Sequence, residues 1–278
     1  MPMSAIGCTA LPHDILFARR MAEARGWPCI QAEVTHFPDS ELDIQWPTDA
    51  LPDTAVMVMS LTGTGHFSIH DRIVQLIFAV HQLRAAGVSQ CIGVVPYLGY
   101  ARSDKKTRPT DMLGLKIVMR HLQEAGLDAL LTVDVHTPAA LDNALAGSTW
   151  SVDVVNPMAE AMREHLSEEA SLAVCAPDVG AWKRAQAWAQ ALANSQRDTV
   201  ELALVHKQRV RPDKVTKDAF MGDVQDRTVI VVDDMISTGG TMAQAVKACY
   251  EQGAQAVWAA VTHGLLLDQA PVRLAEAG

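Results

Sequence analysis

The chain has 278 residues, 49% of them hydrophobic, enough apolar material for one large domain or two smaller ones. Its formal net charge of -9 argues against general binding to nucleic acid or to a membrane surface, while small anionic substrates stay open because they respond to the local field of a site. No apolar run approaches the roughly 20 residues that span a bilayer, the N-terminal MPMSAIGCTALPHD lacks the basic and apolar regions of a signal peptide, and five scattered cysteines with neither a Cys-x-x-Cys nor a zinc spacing predict reduced thiols in a cytoplasmic protein.

From the N-terminus onward, short β-rich runs alternate with helical windows. TAVMVMSL (54–61) precedes HDRIVQLIFAVHQLRAAG (70–87), and QCIGVVPY (90–97) precedes DMLGLKIVMRHLQEAG (111–126). ALLTVDVH (129–136) leads into a segment, 137–156, that breaks the rhythm. SLAVCAPD (171–178) then precedes GAWKRAQAWAQALA (180–193), VELALVHK (200–207) follows, TVIVVDD (228–234) precedes TMAQAVKACYEQGA (241–254), and AVWAAVTH (256–263) closes the series. Several runs are almost continuously apolar, as strands covered on both faces must be. Alternation of this kind predicts parallel sheets with helices outside, hence an α/β fold. The break at 137–156 predicts two domains, 1–143 and 144–278. The polar stretch VRPDKVTKDAFMGD (210–223), with Pro212, is long for an α/β connection and predicts a functional lid or a mobile segment.

One stretch joins several chemical signals: TVIVVDDMISTGGTM (228–242). In open parallel sheets ligands bind beyond the carboxyl ends of strands. Asp233 and Asp234 stand at such an end, and Ser237, Thr238, Gly239, Gly240 and Thr241 then turn into a helix. Glycines let backbone N–H groups approach a phosphate, and the helix N-terminus adds a favourable field of roughly 0.3–1 kcal/mol. Paired carboxylates accept hydrogen bonds from neighbouring sugar hydroxyls, or bind a divalent cation directly or through water. A ribose 5-phosphate unit, with its phosphate at one end and its diol in the middle, satisfies both halves.

This motif resembles the ribose-phosphate signature of type I phosphoribosyltransferases. HFPDSELDIQW (36–46), VVPYLGYARSDKK (94–106), TVDVHTPAAL (132–141), CAPDVGAWKRAQ (175–186), ALVHKQR (203–209) and VTHGLL (261–266) are together similar to the ribose-phosphate pyrophosphokinase family, in the family's order and over nearly the whole chain. The resemblance implies two tandem phosphoribosyltransferase-like domains, with the active site between them. It implies transfer of the diphosphoryl group of ATP to the anomeric hydroxyl of ribose 5-phosphate, with magnesium, giving phosphoribosyl pyrophosphate and AMP.

Position by position, the resemblance assigns ATP contacts to Phe37, Asp39, Ser40, Glu41, Arg102, Ser103 and His136. Ribose 5-phosphate contacts fall to Arg209, Asp233, Asp234 and Ser237 to Thr241. His136 and Asp178 stand at magnesium-associated positions, Lys207 at that of the catalytic lysine, and Arg209 at that of a cation near both substrates. The Phe37–Glu41 loop matches one that crosses a subunit interface, which implies a homo-oligomer built of dimers, such as a hexamer. The chain departs from the pattern at Ser103 (usually glutamine), Ser237 (usually aspartate) and His206 (usually aspartate). Tyr97 and Tyr100 read as shaping their turn, Trp182 and Trp188 as residues of packing or of a subunit contact, and His263 as structural. Two rival readings are a phosphoribosyltransferase that consumes phosphoribosyl pyrophosphate and a catalytically silent paralogue that regulates a true synthetase.

Overall fold

Side chains of successive strand residues point to opposite faces. On β5 (Thr54–Val58), Ala55 and Met57 belong to one core cluster while Val56 and Val58 belong to another. A strand that packs on both faces must be apolar at every position, which is why this run shows no alternation in its sequence. The computed structural model of the chain describes residues 5–63, 67–167, 169–193, 199–208 and 217–278.

The chain divides into two units after Val152. In the first, β1 (Ile6–Ala10), β2 (Cys29–Gln31), β5, β6 (Gln90–Val95), β7 (Ala129–Val133) and β8 (Ser148–Val152) form a parallel sheet in the order β2-β1-β5-β6-β7-β8. Helix α1 (Ile15–Arg25) covers one face with Ala18 and Ala22. The other is covered by α2 (Ile69–Ala85) and α3 (Gly114–Glu124), which bury Leu76, Leu83, Met119 and Leu122 beside Met57 and Leu130. A separate antiparallel hairpin joins β3 (Glu33–His36) to β4 (Leu42–Gln45). The short helix α4 (Pro138–Asp142) precedes β8.

The expected boundary at 143/144 therefore lies inside the first unit, because β8 pairs in parallel with β7 over Ala129↔Ser148 to Val133↔Val152. The segment 137–156 broke the sequence rhythm because α4 is only five residues long and β8 reads STWSV, with one large apolar side chain between serines and threonine.

The second unit contains α5 (Val155–Arg163), β9 (Leu172–Ala176), α6 (Trp182–Leu192), β10 (Glu201–Gln208), β11 (Lys217–Met221), β12 (Thr228–Ile236), α7 (Gly240–Glu251), β13 (Ala256–Gly264) and α8 (Ala270–Ala275). The sheet order is β11-β10-β9-β12-β13, parallel except for β11. Interior strand β12 sends Val229 and Val231 into the cluster that contains Val246 and Cys249 of α7, and Ile230 and Val232 into the cluster that contains Ala185 and Trp188 of α6. Trp188 is thus a core residue, as expected.

The predicted lid at 210–223 is corrected in part. Lys217–Met221 is a strand, antiparallel to β10 with Lys207 opposite Asp218. Pairing along an open sheet edge overrides the weak strand preference of its lysine and aspartate; residues 209–216, including Arg209, lie outside the described residues. All five cysteines are free thiols. Among the described residues, no helix is long and apolar enough to cross a membrane.

Candidate active site

The acid pair sits where β12 outruns its neighbour. Pairing with β9 ends at Val231↔Cys175, whereas pairing with β13 continues through Asp233↔Val261 to Ile236↔Gly264. The two acids thus emerge on the β9 side of the strand, just past that strand's end. Asp234 is buried and Asp233 half-buried, and the Asp234 N–H donates to Asp233 Oδ1 at 2.9 Å. Burial first, then the charge of Asp234 and more weakly that of Asp178, push the Asp233 carboxyl up to about 7. Asp178 comes from the loop after β9, so it leaves the sheet at the same carboxyl edge. Its Oδ1 accepts from the Ala181 N–H at 3.2 Å, which starts the single turn leading into α6.

Beyond the acids, Ser237 and Thr238 lead to Gly239, the N-cap of α7, whose φ of 77° lies in the left-handed region that glycine enters without strain. A Cβ on Gly239 would stand 3.2 Å from that of Ala270, so α8 packs directly on the turn. A Cβ on Gly240 would meet nothing within 4 Å: this position opens outward. The first N–H groups of any α-helix have no acceptor within the helix, and here Thr241 and Met242 follow Gly240 in that first turn. The carbonyls are held from behind. Leu267 N donates to Ser237 O at 2.9 Å, and Arg273 Nη1 donates to Thr238 O at 2.7 Å. Arg273 went unnoticed in the sequence. Its helix, APVRLA, is six residues long and carries no pattern that marks it as bracing a turn 35 residues earlier.

Lys207 lies on β10, whose backbone continues past its pairing with β9 at Leu204↔Ala176. It lies beyond the carboxyl end of β9, the edge from which Asp178 leaves, while still paired with Asp218 of β11. The second unit therefore gathers Asp178, Asp233, Asp234 and the 237–241 turn around one strand end.

In the first unit the expected nucleotide residues lie on two separate loops. Phe37 to Glu41 is the tip of the β3–β4 hairpin, closed by Phe37 N to Glu41 O at 2.8 Å and Ser40 N to Phe37 O at 3.0 Å. Asp39 Oδ1 accepts from Glu41 N at 3.1 Å, and Ser40 has a φ of 74°. Phe37 is 47% exposed at the tip, an aromatic ring without a core to fill. Arg102 and Ser103 follow β6 after a turn in which Tyr100 has a φ of 62°. Arg102 is exposed. The Ser103 hydroxyl is already engaged: it donates to Met112 O at 2.9 Å and accepts from Gly114 N at 3.0 Å, tying the loop to the start of α3. His136 is exposed just before Pro138 opens α4. The loop that carries it is held by Asp134 N to Val152 O and Val135 N to Ser151 Oγ.

The donor set suits a hard cation only in part. Asp178, Asp233 and Asp234 supply oxygen atoms, yet among the described residues no three His, Cys, Asp or Glu side chains are arranged to hold an ion by themselves. That fits magnesium, which keeps several waters and rests on one or two carboxylates plus substrate phosphates.

The chain is similar to known proteins along most of its length. Residues 9–126 match the model of the N-terminal domain of ribose phosphate pyrophosphokinase, and residues 150–273 match that of the phosphoribosyl transferase domain. The chain is 33% identical over 273 residues to a ribose-phosphate pyrophosphokinase of Methanopyrus kandleri, covering 97% of this chain and 88% of that protein. It is 28% identical over 264 residues to one of Porphyromonas gingivalis, covering 92% and 78%. The crystal structure of phosphoribosylpyrophosphate synthetase from Mycobacterium smegmatis superposes with a TM-score of 0.84 at 27% identity, covering 99% of this chain and 86% of that one. The chain belongs to the ribose-phosphate pyrophosphokinase family.

Proposed function

We propose that the protein transfers the diphosphoryl group of ATP to ribose 5-phosphate. The anomeric oxygen of the sugar bonds to the β-phosphorus while the bond from that phosphorus to the α,β-bridging oxygen breaks. The products are phosphoribosyl pyrophosphate and AMP, with the hydroxyl proton released. The observation that carries this reading is the continuity of Asp233–Asp234 with the Gly239–Gly240 turn at the start of α7, in a chain whose other half matches the N-terminal domain of the pyrophosphokinases.

In this reading the 5-phosphate rests on the N–H groups of the 237–241 turn, and the ribose hydroxyls donate to Asp233 and Asp234. An ionised Asp233 accepts from a hydroxyl best, so sugar binding favours the deprotonated form of a carboxyl that burial and Asp234 push up to about 7. Lys207 supplies a point charge, and Arg209 a planar fork, to phosphoryl oxygens whose charge spreads in the transition state. Phe37, Asp39, Ser40, Glu41 and Arg102 hold the nucleotide. Ser103 acts one step removed, by fixing the loop that carries Arg102. Asp178 and His136 would stand beside magnesium, which when bound neutralises phosphate charge. The exposed Phe37 at the hairpin tip supports a homo-oligomer in which the hairpin reaches a neighbouring copy.

Incubation with ATP, magnesium and ribose 5-phosphate tests the reading. AMP and phosphoribosyl pyrophosphate should form in equal amounts and only when all three are present. Consumption of phosphoribosyl pyrophosphate with a nucleobase, without AMP formation, would make the protein a phosphoribosyltransferase instead.

A further inference from the structure

We infer that Phe67 is a positioning residue for the nucleotide hairpin. Its ring lies between two histidines. His13 meets it edge-on, with centroids 4.9 Å apart and planes at 78°, and His36 stacks on it at 5.5 Å and 30°. His36 is the last residue of β3 and immediately precedes Phe37. The inference rests on the reading of Phe37–Glu41 as a nucleotide contact.

Phe67 is itself held from two sides. The next residue, Ser68, is the N-cap of α2 and forms a reciprocal capping box with Asp71. Ser68 Oγ accepts from Asp71 N at 3.2 Å, and Asp71 Oδ2 accepts from Ser68 N at 2.7 Å. A hydrophobic residue just before an N-cap ordinarily packs on the fourth residue of its own helix. Here that residue is Arg72, which is 2% exposed and committed elsewhere. Its Nη2 pairs with Asp14 and donates to Ser60 O at 2.9 Å, its Nε donates to Ser60 O at 3.1 Å, and Nη1 donates to Gln75 at 3.2 Å. The fourth helical position therefore offers no apolar side chain, and the Phe67 ring meets His13 and His36.

Asp14 closes the circuit. Its Oδ1 accepts from Ser60 N at 3.0 Å, while its neighbour His13 touches Phe67. One short turn, Pro12–Asp14, thus holds both the end of the β5 connection and the ring that braces the hairpin. The hairpin's strands pair only with each other among the described strands and pack on the core through Val34, Leu42 and Ile44, while at the end of β3 the Phe67 ring adds a side contact to His36, next to the tip. Aromatic contacts of this geometry are directional as well as apolar, so an aliphatic side chain of similar volume does not replace the ring.

Kinetics of AMP formation test the inference. In Phe67→Ala and Phe67→Leu, KM for ATP should rise at least about fivefold while kcat and KM for ribose 5-phosphate stay within about twofold, the signature of lost uniform binding of one substrate. Phe67→Tyr should restore the wild-type KM. The double variant His36→Ala/Phe67→Ala should be no worse than the poorer single variant, because both remove one contact. An unchanged KM for ATP, an equal rise in both KM values, or full activity of Phe67→Leu would overturn the inference. Calorimetric binding of a non-hydrolysable ATP analogue separates the two readings. Failure of the wild type to form AMP, with analogue binding still weakened in Phe67→Leu, would remove the proposed reaction and leave the brace standing. Equal analogue binding by the two proteins would remove the brace.

Discussion

The two units present their candidate residues in opposite ways. In the second unit one unbroken stretch, Asp233 to Thr241, supplies acids, turn and helix start, and its geometry follows from strand ending, glycine and N-cap. In the first unit the residues expected to hold the nucleotide sit on loops that long-range side-chain contacts must fix: Asp14 with Arg72, 58 residues apart, and the Ser103 hydroxyl on Met112 and Gly114. The backbone-built turn takes its outside support from one neighbouring helix, α8, through Ala270 and Arg273. A site made of braced loops is exposed to substitutions far from any substrate.

The largest effect should come from the brace. Arg72→Ala would leave the largely buried Asp14 carboxylate without its cation, and loss of one partner of a buried pair costs about 3–5 kcal/mol. Urea unfolding should show it as a lower midpoint, and a change under 1 kcal/mol would mean that the first unit is not held this way. Lys207→Ala should lower turnover by about a hundredfold to a thousandfold, the usual loss of one transition-state charge donor, with binding of both substrates preserved by calorimetry.

Gly240→Ala sharpens the contrast. The protein leaves open space there, so thermal stability should be unchanged. A phosphate resting on the turn would meet the added methyl, raising KM for ribose 5-phosphate by roughly tenfold. Unaltered sugar kinetics would place the phosphate elsewhere.

Asp233 gives a pH signature that should be confined to the second unit. Its folded carboxyl, at about 7, lies above the ordinary 3.8. Its stabilising contribution is therefore complete below 3.8 and lost as pH rises through about 7, while affinity for ribose hydroxyls increases over the upper part of that window. Ribose 5-phosphate should bind more tightly at pH 8 than at pH 6 by up to roughly tenfold per unit below the carboxyl's midpoint, and Asp233→Asn should abolish the difference that exceeds the sugar phosphate's own titration. Ser103→Ala should have the smallest effect, about 1 kcal/mol of stability with KM for ATP little changed, because its hydroxyl bonds to the protein.

The same contrast decides what could be read from sequence. Strands at 54–61, 90–97, 129–136, 171–178, 200–207, 228–234 and 256–263 all appear, because burial on both faces writes itself as an apolar run. Strands β1 to β4 and β8 carry no such run: they are short, and rich in small or polar residues, as in IGCTA and STWSV. The 233–241 turn was legible because its acids, glycines and hydroxyls are neighbours in sequence. Phe67, Arg72 and Arg273 were not, since each acts through a contact made by folding, and neither spacing nor composition marks it.

Diffraction from crystals soaked with ribose 5-phosphate tests the central claim most directly. The claim predicts the phosphate against the backbone of Thr238 to Thr241 and the ribose 2- and 3-hydroxyls within hydrogen-bond distance of Asp233 and Asp234. A fully occupied sugar bound anywhere else, or one whose phosphate points away from the start of α7, would contradict it.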